Sequence, residues 1–291
     1  MIRLRVCALA LLGTLAAVTP AAAVGDAVAF KLDGHDNILV PIAVAGRNGS
    51  ATFWFLLDTG SNRSSVSEDV VARVGAPIVA RTTVVTGTGN ILRPVVSIGS
   101  LTLGSKRADE LPAIVQPAAA LRDLHIDGIL AQDFLARWTY TLDFRHKRLL
   151  WDVLSGEDDA DASGPLKLHE SEGRLLVDLP QGSDRIVQLV PDSAATSLVI
   201  FDRAGTSARA RLALHPARTG MRRLTTMTGD TLVQTAIVDR LQVGTHLLRD
   251  QLAVIVNRHE RDAPEGDGLL PLSWFQSVTF NGPDGYLVVR R

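Results

Sequence analysis

Twice in this chain an aspartate ends an apolar, strand-forming run and is followed by small residues. The first copy reads Phe53-Trp54-Phe55-Leu56-Leu57-Asp58-Thr59-Gly60-Ser61, the second Ile186-Val187-Gln188-Leu189-Val190-Pro191-Asp192-Ser193-Ala194-Ala195. Two carboxyls held close together cannot both ionise easily, so the pair keeps one proton. The ionised member can then take a proton from water while the protonated one hydrogen-bonds a carbonyl. That is the acid–base chemistry that opens an amide bond.

A carboxylate at the end of a buried strand is costly unless it is hydrogen-bonded or paired. Gly60 permits a sharp turn that aims backbone N–H groups at Asp58. Thr59 offers a hydroxyl that can lock the loop against a facing copy, and Ser61 can donate to an outer carboxylate oxygen. An Asp-Thr-Gly triplet on its own is often a simple turn. The strand before it and the Asp127-Gly128-Ile129-Leu130 segment after it argue for more.

The elements that would position the two acids repeat along the chain. Ile38 to Ala45, a polar turn at Gly46-Arg47-Asn48-Gly49-Ser50 and Ala51 to Leu57 predict a hairpin ending at Asp58. Leu175 to Leu179, Pro180-Gln181-Gly182-Ser183-Asp184 and Arg185 to Val190 predict another ending at Asp192. Thr86-Gly87-Thr88-Gly89 answers to Thr228-Gly229-Asp230. Leu101-Thr102-Leu103-Gly104 answers to Leu241-Gln242-Val243-Gly244, and Asp127-Gly128-Ile129-Leu130 to Asp267-Gly268-Leu269-Leu270, both 140 residues apart. Trp138-Thr139-Tyr140 corresponds to Val278-Thr279-Phe280. The spacing changes between Asp192 and Gly229, which places extra length within Arg203 to Gly220. A rival alignment uses Asp202 as the second acid, although it lacks the strand and small residues around Asp192.

Helix signals are few: Glu68 to Val74, Ala118 to Leu124, and short turns near Ala131 to Leu135 and Leu272 to Gln276. The remaining short strands and turns predict an all-β fold built by internal duplication. Residues 1–23 read as a signal peptide, with Arg3 and Arg5, an apolar run from Val6 to Val18 and Ala21-Ala22-Ala23 as cleavage site. Residues 24–152 form the first lobe, 153–172 an acidic linker, and 173–291 a diverged second lobe. The apolar run is short for a membrane span, so the expected location is periplasmic or secreted, with no stable span after the leader is removed.

The balance of 30 basic and 31 acidic residues gives no reason to expect nucleic acid as a partner. The one cysteine, Cys7, falls in the leader, so disulfide, thiol and Cys–metal chemistry are not expected. The seven histidines show no metal-ligand spacing, and no metal or other cofactor is expected. Oligomeric state is not legible.

Asp58-Thr59-Gly60-Ser61, together with Asp127-Gly128-Ile129-Leu130-Ala131-Gln132-Asp133-Phe134-Leu135, resembles the retropepsin-like and pepsin-like aspartic proteases, particularly bacterial exported members with two retropepsin-type halves. The resemblance runs from about Ile38 to Val289. It implies a bilobal β fold with a cleft between lobes, Asp58 and Asp192 as the catalytic acids, and Thr59 and Ser193 as interlocking hydroxyls. It also implies a flap at Thr86, Gly87, Thr88 and Gly89, and a peptide or protein substrate. Three departures stand out. Ala131 and Ala194 replace glycine, with strain expected at Ala194. Pro191 lacks a donor and biases its strand towards an edge. Leu270-Pro271-Leu272 lacks the usual glycine. These departures keep two other readings open: a peptide-binding pseudo-protease, and a first lobe active only as a homodimer.

Overall fold

Apolar residues at every second position drive the local structure. In Ile38, Val40, Ile42 and Val44 they are fully buried, while the residues between them are not. The computed structural model describes residues 26–86, 89–122, 124–153, 161–203, 212, 214–226, 229–258 and 266–291. The expected leader at 1–23, Gly87 and Thr88 of the expected flap, and residues 154–160 of the expected linker lie outside these.

The first half contains strands β1 (Ala27–Ala29), β2 (Lys31–Leu32), β3 (Ile38–Gly46), β4 (Gly49–Leu57), β5 (Ser65–Ser67), β6 (Ile78–Thr86), β7 (Gly89–Leu103), β8 (Lys106–Gln116), β9 (Gly128–Leu130), β10 (Thr139–Asp143) and β11 (Arg148–Trp151). Helices α1 (Glu68–Val74), α2 (Ala118–Arg122) and α3 (Gln132–Leu135) lie among them. Ser67 caps α1 through Val70 N–H, and Gly75 ends it in the left-handed region at φ 68°. The second half contains β12 (Leu166–Ser171), β13 (Arg174–Pro180), β14 (Ile186–Asp192), β15 (Leu198–Arg203), β16 (Leu214–Thr226), β17 (Gly229–Val243), β18 (His246–Arg258), β19 (Gly268–Pro271), β20 (Ser277–Asn281) and β21 (Tyr286–Arg290). A 3₁₀ turn at Leu272–Trp274 follows β19.

Strand order exposes the duplication. Lobe one runs β3-β4-β9-β5-β8-β7-β6, and lobe two runs β13-β14-β19-β15-β18-β17-β16, the same path. In each lobe the acid-bearing strand lies parallel to the Asp-Gly strand, with Leu57 opposite Leu130 and Pro191 opposite Leu270. In both halves the Asp before the glycine pins its neighbour. Asp127 accepts from Trp54 N–H and Asp267 from Gln188 N–H, both at 2.9 Å.

The lobes share a base of strands β1-β11-β10-β20-β21-β12. Tyr140 pairs with Phe280 across its centre, and their rings stack at 4.9 Å. The Thr141 and Thr279 hydroxyls hydrogen-bond beside them at 2.8 Å. Tyr140 and Phe280 are repeat counterparts, so an approximate twofold passes between them.

The structure corrects three sequence expectations. Residues 166–171 are not linker: they form β12, which runs from the base into lobe two, pairing first with β21 and then with β13. Only Leu166 and Leu168 of this strand are apolar and buried, so it reads as polar chain. The turn matching Thr86 and Gly89 is closed by Thr226 and Gly229, not by Thr228-Gly229-Asp230. The 140-residue spacing therefore holds from the hairpin tips onward, and the extra length falls between β15 and β16. Finally, β14 is not an edge strand, because it lies between β13 and β19.

Gly268 crosses β15 so closely that a Cβ there would overlap the Val199 carbonyl. Gly268→Ala is expected to destabilise the protein by about 1–3 kcal/mol, read as a lower midpoint of chemical denaturation. An unchanged midpoint would contradict this strand crossing.

Candidate active site

Strands β4 and β14 end face to face at the interface of the lobes, and their last residues are Leu57 and Asp192. The loops that follow are bolted together by crossed hydrogen bonds. Thr59 N–H donates to Ser193 Oγ (3.1 Å), and Ser193 N–H donates to Thr59 Oγ1 (3.0 Å). Each hydroxyl then donates onward to the opposite strand, Thr59 to the Pro191 carbonyl and Ser193 to the Leu57 carbonyl, both at 2.7 Å. Thr59 and Ser193 are buried, so these bonds form away from water, where an unmade partner would be costly.

This arrangement also accounts for Pro191. The N–H and C=O of a strand residue point to the same side. The Pro191 carbonyl faces Thr59, beyond the last β13 pairing at Leu189. The missing donor is therefore absent from both ladders, and proline is tolerated.

The grip presses the two acids together. A Cβ on Gly60 would stand 2.6 Å from Cγ and Oδ2 of Asp192, so only glycine fits there. Asp58 accepts Gly60 N–H (2.9 Å) and Ser61 N–H (3.0 Å) at Oδ1, and the Ser61 hydroxyl (2.6 Å) at Oδ2. Asp192 accepts Ala194 N–H (2.7 Å) and Ala195 N–H (3.2 Å) at Oδ1. Ala195 is the counterpart of Ser61, so Asp192 has no hydroxyl donor from that position.

Ala194 does not strain the turn. It is not among the residues with positive φ, and it packs against the apolar cluster of Leu56, Leu121, Ile126 and Ile129. Ala131 is likewise extended at φ −119°, and Pro271 simply precedes the 3₁₀ turn.

Electrostatics separate the two acids. Burial pushes Asp58 above the usual carboxylate range, opposed by the Ser61 hydroxyl, the N–H groups of Gly60 and Ser61, and the Arg174 charge. Burial, and then the neighbouring Asp58 charge, push Asp192 up to about 8, against the pull of the Ala194 and Ala195 N–H groups and Arg174. The pair titrates as a unit. Asp192 is the better seat for the remaining proton.

Asp202, the rival acid, lies within β15 opposite Asn257 of β18, in a ladder rather than on the facing loop. Thr86 and Gly89, the described residues of the expected flap, pair directly where β6 and β7 meet. Among the described residues no group of three or more His, Cys, Asp or Glu side chains is gathered to hold a metal.

Two residues at the site were not singled out from sequence. Gln132 Nε2 donates to the Thr59 carbonyl at 2.9 Å, bracing the loop from beneath. Arg174 Nε donates to the Gly60 carbonyl at 3.2 Å. Gln132 sits in the motif that follows β9 and was within reach of sequence reading. Arg174 carries no local signal, because its place depends on how the lobes dock.

Residues 40–134 match the family model described as aspartyl protease. No curated protein matches the chain. Among solved structures it is similar to an aspartic proteinase from Irpex lacteus, at 14% identity over 91% of this chain and 96% of that one, with a TM-score of 0.49.

Thr59→Ala strands the Pro191 carbonyl and the Ser193 N–H in a buried site. It is expected to cost about 1–3 kcal/mol in denaturation and to lower turnover further, whereas Thr59→Ser restores both. An alanine variant as stable as the parent would refute the interlock.

Proposed function

We propose, from the premise that the chain belongs to the pepsin/retropepsin-like aspartic proteases, that this peptidase is an exported endopeptidase using Asp58 and Asp192 as its catalytic pair. The crossed Thr59–Ser193 bonds carry this reading, because they force two acids from separate lobes into one site. Export rests on the leader-like pattern of residues 1–23.

In the cycle, Asp58 begins ionised, favoured by its three donors, and Asp192 begins protonated. A water held between them loses a proton to Asp58 as its oxygen attacks the peptide carbonyl carbon. The Asp192 proton passes to the carbonyl oxygen and gives a neutral tetrahedral diol. Collapse returns one hydroxyl proton to Asp192. The proton on Asp58 passes to the leaving nitrogen as the C–N bond breaks. Both carboxyls end as they began, and no covalent enzyme intermediate forms. The extended substrate would lie in the interlobe cleft, beneath the β6–β7 and β16–β17 hairpins.

The single-proton state exists between the two apparent pKa values of the pair. Below the lower one Asp58 is protonated and the base is lost. Above the upper one both acids ionise and the proton donor is lost. Because the site raises both values, and Asp192 to about 8, activity should extend to neutral pH rather than peak only in strong acid.

Casein or quenched-peptide cleavage measured against pH tests this. Asp58→Asn and Asp192→Asn are each expected to lose turnover by about 10³-fold, with wild-type activity falling off near pH 8. Cleavage retained in Asp192→Asn would contradict the two-acid mechanism. Peptide binding without any wild-type turnover would point to a pseudo-protease.

A further inference from the structure

Arg174 is a cation placed beside the loop that carries the first acid. Its position follows from a tight hairpin. Ser171 pairs with Arg174, and the two residues between them, Glu172 and Gly173, both have positive φ, at 50° and 76°. A two-residue loop of that kind matches the twist of its strands and fixes where they leave the turn. The turn rests on the loop that carries the first acid: Asn62 Nδ2 donates to the Glu172 carbonyl at 2.8 Å, and Arg174 Nε donates to the Gly60 carbonyl. Gly60 is the residue whose N–H holds Asp58 and whose Cα abuts the Asp192 carboxyl. The guanidinium of lobe two is thus tied to the residue that holds Asp58 and faces the Asp192 carboxyl.

We propose that Arg174 is a positioning residue for the acid pair: tied to the Gly60 carbonyl, its fixed charge holds the shared negative charge in place and sets the pH range in which one proton is shared. This inference deepens the proposed function and rests on the same site. Arg174 is half-buried and makes no contact-distance ion pair with any described carboxylate. Burial lowers the Arg174 pKa, and the described charges that oppose this are, in order, Glu172 in its own turn, Asp58 just after β4 and Asp192 at the end of β14. Arg174 is in turn the described cation that acts on both acids. A single guanidinium beside a pair that keeps one negative charge offsets part of the burial that would otherwise drive the second carboxyl to take up a proton. The turn counterpart in lobe one, closed by Asp33 and Asn37, contains His35 and no arginine. The device is therefore one-sided, like the asymmetry of the acids themselves.

The test is a carboxyl ¹³C NMR titration of aspartate-labelled protein, assigned with Asp58→Asn and Asp192→Asn and run alongside the pH profile of kcat/KM. Arg174→Gln keeps a donor without the charge, and Arg174→Lys keeps the charge without the fork. In Arg174→Gln both apparent pKa values of the pair are expected to rise by about one unit, and both limbs of the activity profile to move up with them. Arg174→Lys should titrate near the wild type. Titrations unchanged in Arg174→Gln, or shifted equally in the two variants, would overturn the proposal. The NMR readout does not require turnover. A pair that shifts as expected in a protein that cuts no peptide supports this inference and removes the endopeptidase reading. Peptide cleavage with a pair indifferent to residue 174 removes this inference alone.

Discussion

Two neighbouring carboxyls, Asp192 buried and Asp58 partly buried, repel each other, and they stay together only because something else holds their loops. Here that is the square of hydrogen bonds linking Thr59, Ser193, Leu57 and Pro191. Each hydroxyl both accepts from the opposite loop and donates to the opposite strand, so neither loop can withdraw without stranding buried polar groups. The rest of the molecule serves this square. Parallel β4–β9 and β14–β19 pairings deliver the acids to the same place. The Tyr140–Phe280 stack joins the two halves in the shared base sheet.

This proximity runs against stability. An aspartate whose folded pKa is raised binds more protons in the native state than in the unfolded chain. Between the ordinary carboxylate range and the raised value, stability falls as pH rises, and below that window the penalty disappears. Asp192, held up to about 8, spreads that loss over the neutral range. The site is thus a strained element tolerated by a well-packed scaffold, as expected where pKa perturbation and function coincide. The donors around Asp58, and the Arg174 charge, limit the penalty without abolishing it.

Much of this was legible in sequence because the duplication preserved its strongest constraints. Asp58-Thr59-Gly60 and Asp192-Ser193 had to face each other. Asp127-Gly128 and Asp267-Gly268 had to pin the same strands, and those residues kept their types. The α1 bounds, Glu68 to Val74, were read as found, and the structure closes them with Ser67 and Gly75. What sequence misread was whatever depended on register or docking. β12 was lost in polar chain because only two of its side chains meet the core. The hairpin tip was matched two residues out because Thr-Gly pairs recur near both turns. Pro191 and Ala194 looked damaging only while their neighbours were unknown. One proves to face the hydroxyl of Thr59, the other to fill an apolar cluster. Arg174 was invisible, since nothing in Gly173-Arg174-Leu175 announces that lobe two will lay this side chain on Gly60.

The central claim is that one proton is shared by two acids contributed by two lobes. Neutron diffraction from a crystal held near neutral pH addresses it without relying on turnover. The account predicts facing carboxyls of Asp58 and Asp192 with a single deuteron between them, seated on Asp192. Two deuterons, none, or carboxyls turned apart into separate solvent would contradict it.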